Sequence, residues 1–356
     1  MRVLISGGGT GGHIFPALAV AQALSELDPG GEVLYVGRRG GMEEGIVPDH
    51  GLRLEGLDIR GIQPEMWKNW RLPYQLPGSV ARAWSLIRRF DPAVVFGTGG
   101  YVVGAVGAAA LLARRPLFLM VPDAYPGRAI RALGRRSETV FSAFETTAGW
   151  LPRAHVELSG TPLRKEFWHL PERRIDGLTR LLVFGGSQGA HRLNVAVEEA
   201  LKELMTLPGL HVHHISGKHD HDQLVAFRNA LPEDTGVRYQ LEDFNDNMLE
   251  AYQAADLVLA RAGGSVAELT AVGLPMILVP GAFAGGHQRA NAEPLVRAGA
   301  AIEVPDDELS GVRLTSEIKR LYSDPARLQA MARASRAEGR PRAALRIAEA
   351  ILSGAR

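Results

Sequence analysis

The 356-residue sequence contains no cysteine, which excludes disulfide bonds and thiolate metal sites. It also lacks an excess of either charge, because 40 Lys and Arg residues balance 39 Asp and Glu residues to a net charge of +1. That balance provides no bulk attraction for nucleic acid, so we expect no nucleic-acid partner. The hydrophobic content of 46% is typical of a globular protein, and the absence of cysteine is typical of a cytoplasmic one.

Long apolar runs are missing as well. The N-terminal run, Val3–Ile5, stops at glycines, so no signal peptide is predicted. The longest run of small apolar residues, 102–113, is shorter than the roughly 20 residues that a transmembrane helix needs. The sequence also has no Gly-Lys-Ser/Thr motif, which excludes a P-loop nucleotide site.

Glycine, by contrast, is abundant, with 41 residues, and its first cluster organises the chain. The segment from Ser6 to His13 reads Ser-Gly-Gly-Gly-Thr-Gly-Gly-His and lies between a strand-like run and a helix-like one. Glycines let such a loop turn sharply and let a ligand approach its backbone, and the following helix N-terminus favours an anion. His13 stands where the loop becomes the helix and is the first candidate for acid–base chemistry.

Two other interpretations of this loop stay open. Gly7, Gly9 and Gly12 fit the dinucleotide pattern G-x-G-x-x-G, but Gly-Arg-Arg follows the second strand, where an NAD site has an acidic residue. Arginines there suit NADP, so an NADP oxidoreductase is one alternative. The other is a tight turn without a ligand, although the side chains of Thr10 and His13 favour a binding site.

Short apolar runs alternate with helical stretches along the chain, which predicts strands buried on both faces of parallel sheets. The pattern begins twice, at 3–5 and again at 181–184, each time before a glycine-rich turn. A chain of this length exceeds one ordinary core. We therefore predict an α/β protein of two Rossmann-like, doubly wound domains, 1–163 and 164–340, facing each other across a cleft. The segment 341–356 is expected to form a helix that packs back on the first domain.

A later glycine turn suggests a nucleotide site in the second half. Arg261-Ala-Gly-Gly-Ser precedes a helical stretch that carries Glu268, and its glycines open a helix N-terminus suited to a phosphate. The Glu268 carboxylate is placed to bind a diol such as a ribose. Taken alone, it is better explained as compensation of the helix dipole. Together with Arg261 and Gln288, the nucleotide interpretation is favoured.

Six motifs in this order resemble the MurG family of bacterial N-acetylglucosaminyltransferases, over nearly the whole chain. They are Gly-Gly-Thr-Gly-Gly-His at 8–13, Gly-Gly-Tyr at 99–101, Gly-Thr-Pro-Leu-Arg at 160–164, Gly-Gly-Ser-Gln-Gly at 185–189, Arg-Ala-Gly-Gly at 261–264 with Glu268, and Gln288-x-x-Asn291-Ala292. The resemblance implies a GT-B fold and an inverting glycosyltransferase that needs no metal and no cofactor. It implies transfer of GlcNAc from UDP-GlcNAc to the muramic-acid 4-hydroxyl of lipid I, giving lipid II for peptidoglycan synthesis.

The resemblance also implies roles for individual residues. The donor site would comprise Thr10, Gly11, Gly12, Arg164, Ser187, Gln188, Phe244, Arg261, Gly264, Glu268, Gln288 and Asn291. Among these, Ser187 and Gln188 would meet the diphosphate, Phe244 the uracil, and Glu268 the ribose. The acceptor site in the first domain would comprise Thr10, Gly12, His13, Tyr101 and Asp123.

An inverting transfer needs a base beside the acceptor hydroxyl, and two residues are candidates. His13 suits proton uptake near neutral pH, but it is equally well explained as a hydrogen-bonding group for the lipid diphosphate or the loop. Asp123 is the rival base. It stands in Met-Val-Pro-Asp, where the family usually reads His-Glu-Gln-Asn. Further departures are Thr161, Gly286 and a 261–268 segment that is one residue shorter than usual.

Large apolar side chains and cations cluster between 67 and 89, and the apolar members are Trp67, Trp70, Leu72, Leu76, Trp84, Leu86 and Ile87. Without the resemblance, a place in the core is the simpler interpretation. A polyprenyl-linked acceptor instead implies peripheral contact with the anionic cytoplasmic face of the plasma membrane, and partner proteins of cell-wall synthesis. Besides the NADP oxidoreductase, three alternatives stay open: another UDP-sugar GT-B glycosyltransferase, a UDP-sugar epimerase, and a catalytically silent membrane scaffold that binds UDP-sugar.

Overall fold

The computed structural model describes residues 1–59, 72–186, 189–232, 238–281 and 286–354, with the side chains of 72–75 left out. These residues form two compact units, one of 1–168 with 340–356 and the other of 169–339. Each unit is built on its own parallel sheet, so the predicted pair of doubly wound α/β domains is confirmed. The assignment of an acceptor domain and a donor domain, with the boundaries given above, stays a prediction.

The first unit contains a sheet of seven described strands in the order β3-β2-β1-β4-β5-β6-β7. The strands are β1 Arg2–Ser6, β2 Glu32–Arg38, β3 Arg53–Leu57, β4 Val94–Gly97, β5 Leu117–Val121, β6 Thr139–Ser142 and β7 Val156–Leu158. Pairing is parallel throughout, with Leu4 opposite Leu34 on one side and Val95 on the other. The order reverses direction at β1 and β4, which is where open α/β sheets bind ligands.

Helices cover both faces of this sheet. They are α1 Gly11–Leu27, α2 Glu43–Asp49, α3 Leu72–Phe90, α4 Tyr101–Leu112, α5 Arg128–Leu133 and α6 Thr147–Trp150. Successive residues of β1 enter opposite layers: Val3 and Ile5 pack with α1, whereas Leu4 packs with α3 and α4. The alternation follows from the two-residue period of a strand that is covered on both faces.

The second unit contains a sheet of six described strands in the order β10-β9-β8-β11-β12-β13. The strands are β8 Arg180–Phe184, β9 His211–Ile215, β10 Tyr239–Glu242, β11 Leu257–Ala260, β12 Met276–Leu278 and β13 Ala301–Glu303. Its helices are α7 His191–Leu204, α8 His221–Asn229, α9 Met248–Ala254, α10 Val266–Val272, α11 His287–Arg297, α12 Gly311–Tyr322 and α13 Pro325–Glu338. The final helix, α14 Ala343–Gly354, belongs to the first unit, where Ile347 and Ile351 share the core with α1.

The aromatic and cationic cluster of the sequence is divided by the structure. Leu86 and Ile87 of α3 are buried in the core, so the inclusion of these two in a membrane face is wrong. Leu76 and Trp84 on the same helix are 48% and 43% exposed. Trp67 and Trp70 lie outside the described residues. Within the described ranges, no helix is long and apolar enough to cross a membrane.

Candidate active site

The glycine loop of the first unit joins β1 to α1. Gly9 has a φ of +88°, a conformation that glycine adopts without strain. Gly8 is required for a different reason, because a Cβ atom there would lie 1.8 Å from Oε1 of Glu43. Thr10 is the N-cap of α1, so Gly11 and Gly12 form its first turn. The first N–H groups of an α-helix have no partner within the helix and are available to an anion.

His13 lies in that first turn, with its ring held by the loop. Its Nδ1 is 3.1 Å from the carbonyl oxygen of Gly8 and 3.3 Å from Oγ1 of Thr10. A carbonyl oxygen only accepts hydrogen bonds, so Nδ1 donates to Gly8, and Nε2 of the neutral ring is left able to accept a proton. The loop after β4 supports the same residue, because Oγ1 of Thr98 donates to the His13 carbonyl at 2.6 Å.

Gly99 and Gly100 bring the backbone of this second loop against the first. A Cβ atom at Gly99 would lie 2.6 Å from Cδ2 and 2.8 Å from Nε2 of His13. A Cβ atom at Gly100 would lie 2.3 Å from the Gly8 carbonyl oxygen. Both glycines have positive φ, +122° and +83°. Any other residue at these positions would both strain the backbone and displace the loop that carries His13.

Two further predicted acceptor residues lie at the same edge of the sheet. Tyr101 begins α4 and is 50% exposed, and Asp123 follows β5 in a half-buried position. Among the described residues, Asp123 has no hydrogen-bond partner. Because the carboxyl ends of neighbouring parallel strands meet at one edge, the structure brings both residues to the side of the sheet that carries His13.

The second unit repeats the strand, glycine turn and helix between β8 and α7. Gly186 and Gly189 have φ values of +90° and +77°. A Cβ atom at Gly189 would lie 2.4 Å from the carbonyl oxygen of Ser216, so this turn packs directly on the loop after β9. Ser187 and Gln188, predicted to meet the diphosphate, lie outside the described residues.

A buried polar network that the sequence analysis missed supports this turn. The Asn194 amide donates to the Ser216 carbonyl at 2.9 Å and to Asp220 at 2.7 Å. Its oxygen therefore accepts from Nε2 of His214 at 3.0 Å, which leaves Nδ1 to accept from the Tyr239 hydroxyl at 2.9 Å. Burial lowers the pKa of His214 from its usual 6.5 to about 3. One sequence feature could have indicated that His214 is buried. It follows Val212 by two residues on β9, and residues two apart on a strand lie on the same face of the sheet.

Arg261 and Gln288 come together around Gly281. The Arg261 guanidinium donates to the Val279 carbonyl at 3.0 Å and forms a short ion pair with Asp306. Oε1 of Gln288 accepts from the Gly281 N–H at 2.8 Å. Asp306 was missed by the sequence analysis, although it follows β13 at the strand edge where the other predicted residues lie. Its carboxylate also lies 3.5 Å from Nε of Arg192.

The remaining predicted donor residues are placed individually. The Glu268 carboxylate accepts from the Tyr252 hydroxyl at 2.9 Å, and Phe244, just after β10, is 52% exposed. Asn291 is buried, and its amide donates to the Ala262 carbonyl at 3.2 Å. The α-carbon of Gly264 faces open space. Arg164 belongs to the first unit, where its guanidinium lies 5.5 Å from the centre of the Phe167 ring.

Within the described ranges, no group of three or more His, Asp or Glu side chains is arranged to hold a metal ion. In the first unit the candidate residues are the glycine-rich backbone, His13 and Asp123, and in the second they include Glu268 and Arg261.

Comparison with known proteins covers both units. The model of the glycosyltransferase family 28 N-terminal domain matches residues 3–142, and that of the family 28 C-terminal domain matches residues 180–347. The UDP-N-acetylglucosamine--N-acetylmuramyl-(pentapeptide) pyrophosphoryl-undecaprenol N-acetylglucosamine transferase of Nitrosococcus oceani is 43% identical over 99% of this chain and 98% of its own. The protein of the same name from Alkalilimnicola ehrlichii is 41% identical over 100% and 99%.

A solved structure gives the same result for the fold. The crystal structure of MurG from Acinetobacter baumannii superposes with a TM-score of 0.80 at 28% identity, covering 99% of each chain. This likeness confirms the predicted GT-B class of fold. With two family models and full-length relatives above 40% identity in agreement, the chain belongs to glycosyltransferase family 28 and, within it, to the MurG family.

Proposed function

We propose that the protein transfers GlcNAc from UDP-GlcNAc to the 4-hydroxyl of the muramic acid in lipid I, giving lipid II for peptidoglycan synthesis. The names of the full-length relatives specify this donor and this acceptor. The observation that carries the proposal is the His13 ring, with Nδ1 bonded to Gly8 and Nε2 left to accept a proton at the N-terminus of α1. A site built only to bind UDP-sugar has no need of such an oriented base.

In the proposed reaction, Nε2 of His13 takes the proton of the acceptor hydroxyl as its oxygen attacks C1 of GlcNAc. The new C1–O bond forms on the face opposite the diphosphate, the bond from C1 to UDP breaks, and the configuration inverts. His13 is preferred to Asp123 as the base because an effective base is oriented by a second group. His13 has two such groups, Gly8 and Thr10, whereas Asp123 has none among the described residues.

The donor would bind to the second unit. Glu268, held by Tyr252, would accept hydrogen bonds from the ribose hydroxyls, and Phe244 would cover the uracil. Gln288 and Asn291 would contact the sugar, with Ser187, Gln188 and Gly264 at the diphosphate. Charge on the departing UDP would be stabilised by helix N-termini and by Arg261 and Arg164, so the reaction needs no divalent cation.

Helix α3 would rest on the membrane that carries the acceptor. The exposed side chains of Leu76 and Trp84 lie on a helix that also exposes Arg82, Arg88 and Arg89. The Arg88 guanidinium lies 5.7 Å from the centre of the Trp84 ring. An aromatic ring beside cations suits an anionic interface, which supports the proposal that the protein is peripheral to the cytoplasmic face of the plasma membrane.

The test is UDP release by the purified protein with UDP-GlcNAc and a short-chain lipid I analogue. Reactions with UDP-GalNAc, or without acceptor, are the controls. We expect release that depends on the acceptor and on GlcNAc. Donor binding without acceptor-dependent release would overturn the proposed reaction and favour another acceptor or a silent scaffold.

Two variants separate the candidate bases. His13→Ala should lower kcat by about 100-fold or more, the typical contribution of a general base, with donor binding unchanged. His50→Ala is the matched control, because His50 is an exposed histidine of the same unit whose Nδ1 also contacts a carbonyl, that of Ile46 at 2.8 Å. If His13→Ala turns over normally while Asp123→Asn abolishes turnover, Asp123 is the base.

A further inference from the structure

Glu43 is a fully buried carboxylate beneath the glycine loop of the first unit. It is the first residue of α2 and has 0% exposure. Its Oε1 accepts from the N–H of Gly9 at 3.1 Å and lies 3.4 Å from the N–H of Arg38. Its Oε2 is buried and has no hydrogen-bond partner among the described residues. Burying a carboxylate that makes only part of its hydrogen bonds lowers the stability of the fold, which suggests that Glu43 has a functional role.

The peptide unit that Glu43 contacts is the one that holds His13. Gly8 contributes the C=O of this peptide and Gly9 contributes its N–H. The N–H donates to Glu43, and the C=O accepts from Nδ1 of His13 at 3.1 Å. The two contacts therefore lie on opposite sides of one trans peptide. This peptide lies between the Glu43 carboxylate and the His13 imidazole and is hydrogen-bonded to both.

The Gly8–Gly9 peptide fits between Glu43 and His13 because both of its residues are glycine. The side of Gly8 faces Glu43 so closely that a Cβ atom would overlap Oε1, and Gly9 has a φ of +88°. The preceding carbonyl, that of Gly7, accepts from the buried Tyr35 hydroxyl at 3.0 Å. Burial, with a smaller contribution from the charge of Glu43, raises the pKa of Tyr35, so its hydroxyl stays a donor. The peptide is thus fixed by its neighbours in the orientation that links Glu43 to His13.

We propose that Glu43 is a positioning residue that acts on His13 through the Gly8–Gly9 peptide. It orients the carbonyl that keeps the proton on Nδ1, and its charge, passed on through the polarised peptide, stabilises the imidazolium formed when Nε2 takes the acceptor proton. In serine hydrolases a carboxylate in direct contact with the imidazole does both. Here a peptide stands between them. The proposal rests on the proposed role of His13 as the base.

The chain supplies a matched control at the next position. Oε1 of Glu44 also accepts from a glycine N–H, that of Gly40 at 2.8 Å, but Glu44 is exposed and does not contact the loop of His13. We would compare Glu43→Gln, Glu43→Ala and Glu44→Ala. Glu43→Gln keeps an oxygen for the Gly9 N–H and removes the charge, so it tests the proposal even if Glu43→Ala fails to fold.

In turnover assays, Glu43→Gln should lower kcat about tenfold with the KM for UDP-GlcNAc within twofold of wild type, and Glu43→Ala should lower kcat further. Glu44→Ala should leave both constants unchanged. In a His13→Ala background, Glu43→Gln should have no additional effect, because residues that act through one another are not additive. An equal loss in both backgrounds, or full turnover by Glu43→Gln, would overturn the proposal.

A second readout needs no turnover. The ring nitrogen shifts of ¹⁵N-labelled histidine, assigned by comparison with His13→Ala, should show the proton of neutral His13 on Nδ1 in the wild type. Glu43→Ala should shift part of the population to the Nε2 tautomer. If the tautomer of His13 is the same in both proteins, Glu43 does not position it. If instead the tautomer changes but His13→Ala remains active, the proposed base is wrong while the structural link stands.

Discussion

A titration experiment tests the buried network of the second unit. His214 is 0% exposed, and its two ring nitrogens are used by Asn194 and Tyr239. Because burial lowers its pKa from 6.5 to about 3, the folded protein keeps this ring neutral at every pH between these values. The unfolded chain, with an ordinary histidine, binds a proton as the pH falls below 6.5. The experiment therefore lowers the pH and compares the wild type with His214→Gln, which lacks the titratable imidazole.

The sign and size of the effect follow from proton linkage. Between pH 6.5 and 3 the unfolded state binds more protons than the folded state, so stability rises with pH in this window and is lost as the pH falls through it. Lowering the pH from 7 to 5 should remove about 2 kcal/mol through His214 alone, since each pH unit below 6.5 contributes about 1.4 kcal/mol. His214→Gln should be less stable at pH 7 and should lack this component of the pH dependence.

The assay must report the second unit. All five tryptophans precede residue 169, so their fluorescence reports the first unit only. Hydrogen exchange of the amides of β9 gives the opening free energy of the second unit, and wild type and variant are compared at the same pH. The difference in opening free energy between them should shrink by about 2 kcal/mol from pH 7 to pH 5.

The control for this experiment is His211→Gln, at the exposed start of the same strand. This variant keeps His214, so it should retain the component of the pH dependence that His214 supplies. The reasoning is refuted if the His214→Gln difference is the same at pH 7 and pH 5. In that case the folded protein does not hold His214 neutral.

Three further predictions concern the proposed reaction. Gly99→Ala should lower kcat by about 100-fold, because its Cβ would lie 2.8 Å from Nε2 of His13, and should cost roughly 1–3 kcal/mol of stability at a φ of +122°; an active enzyme with wild-type stability would contradict the loop geometry. Glu268→Ala should raise the KM for UDP-GlcNAc about tenfold or more, worth about 1.4 kcal/mol of binding, with a smaller change in kcat; a loss confined to kcat would remove Glu268 from the donor site. EDTA should leave the rate of UDP release unchanged; if EDTA inhibits UDP release and added Mg²⁺ restores it, the metal-independent mechanism is refuted.

Much of the fold was predictable because its signals are local. An apolar run, a glycine turn and a helical period occur twice, and each occurrence became β1 with α1 or β8 with α7. Parallel strands covered on both faces produce continuous apolar runs, which is why the strands were visible in sequence. The structure also brings Arg261 and Gln288 together around one glycine, as a common role requires. The roles themselves remain proposals.

The supporting residues were not predictable for the opposite reason. Glu43 and Glu44 are adjacent and chemically identical, and only the packed structure buries the first and exposes the second. Asn194 lies on α7 and Asp220 directly precedes α8, and polar residues such as these are mostly exposed. Their contacts join residues 20 and 26 positions apart, so no local period identifies them. The same limit applies to α3, where sequence grouped Trp84 with Leu86, and packing separated them.

The two glycine turns reach their shape by the same physical means. In each, a glycine stands where a Cβ atom would overlap a polar oxygen beneath it, Oε1 of Glu43 under Gly8 and the Ser216 carbonyl under Gly189. Each of these oxygens accepts a hydrogen bond, a partly buried one from the Gly9 N–H to Glu43 and a buried one from the Asn194 amide to Ser216. The described backbone of each turn is therefore held by the protein before any ligand arrives, and binding need not order it. Preorganised dipoles of this kind stabilise developing charge without reorganisation during the reaction. Glycine in these turns thus serves two purposes. The missing side chain lets the supporting oxygen contact the backbone of the turn, and it leaves the first N–H groups of the following helix accessible.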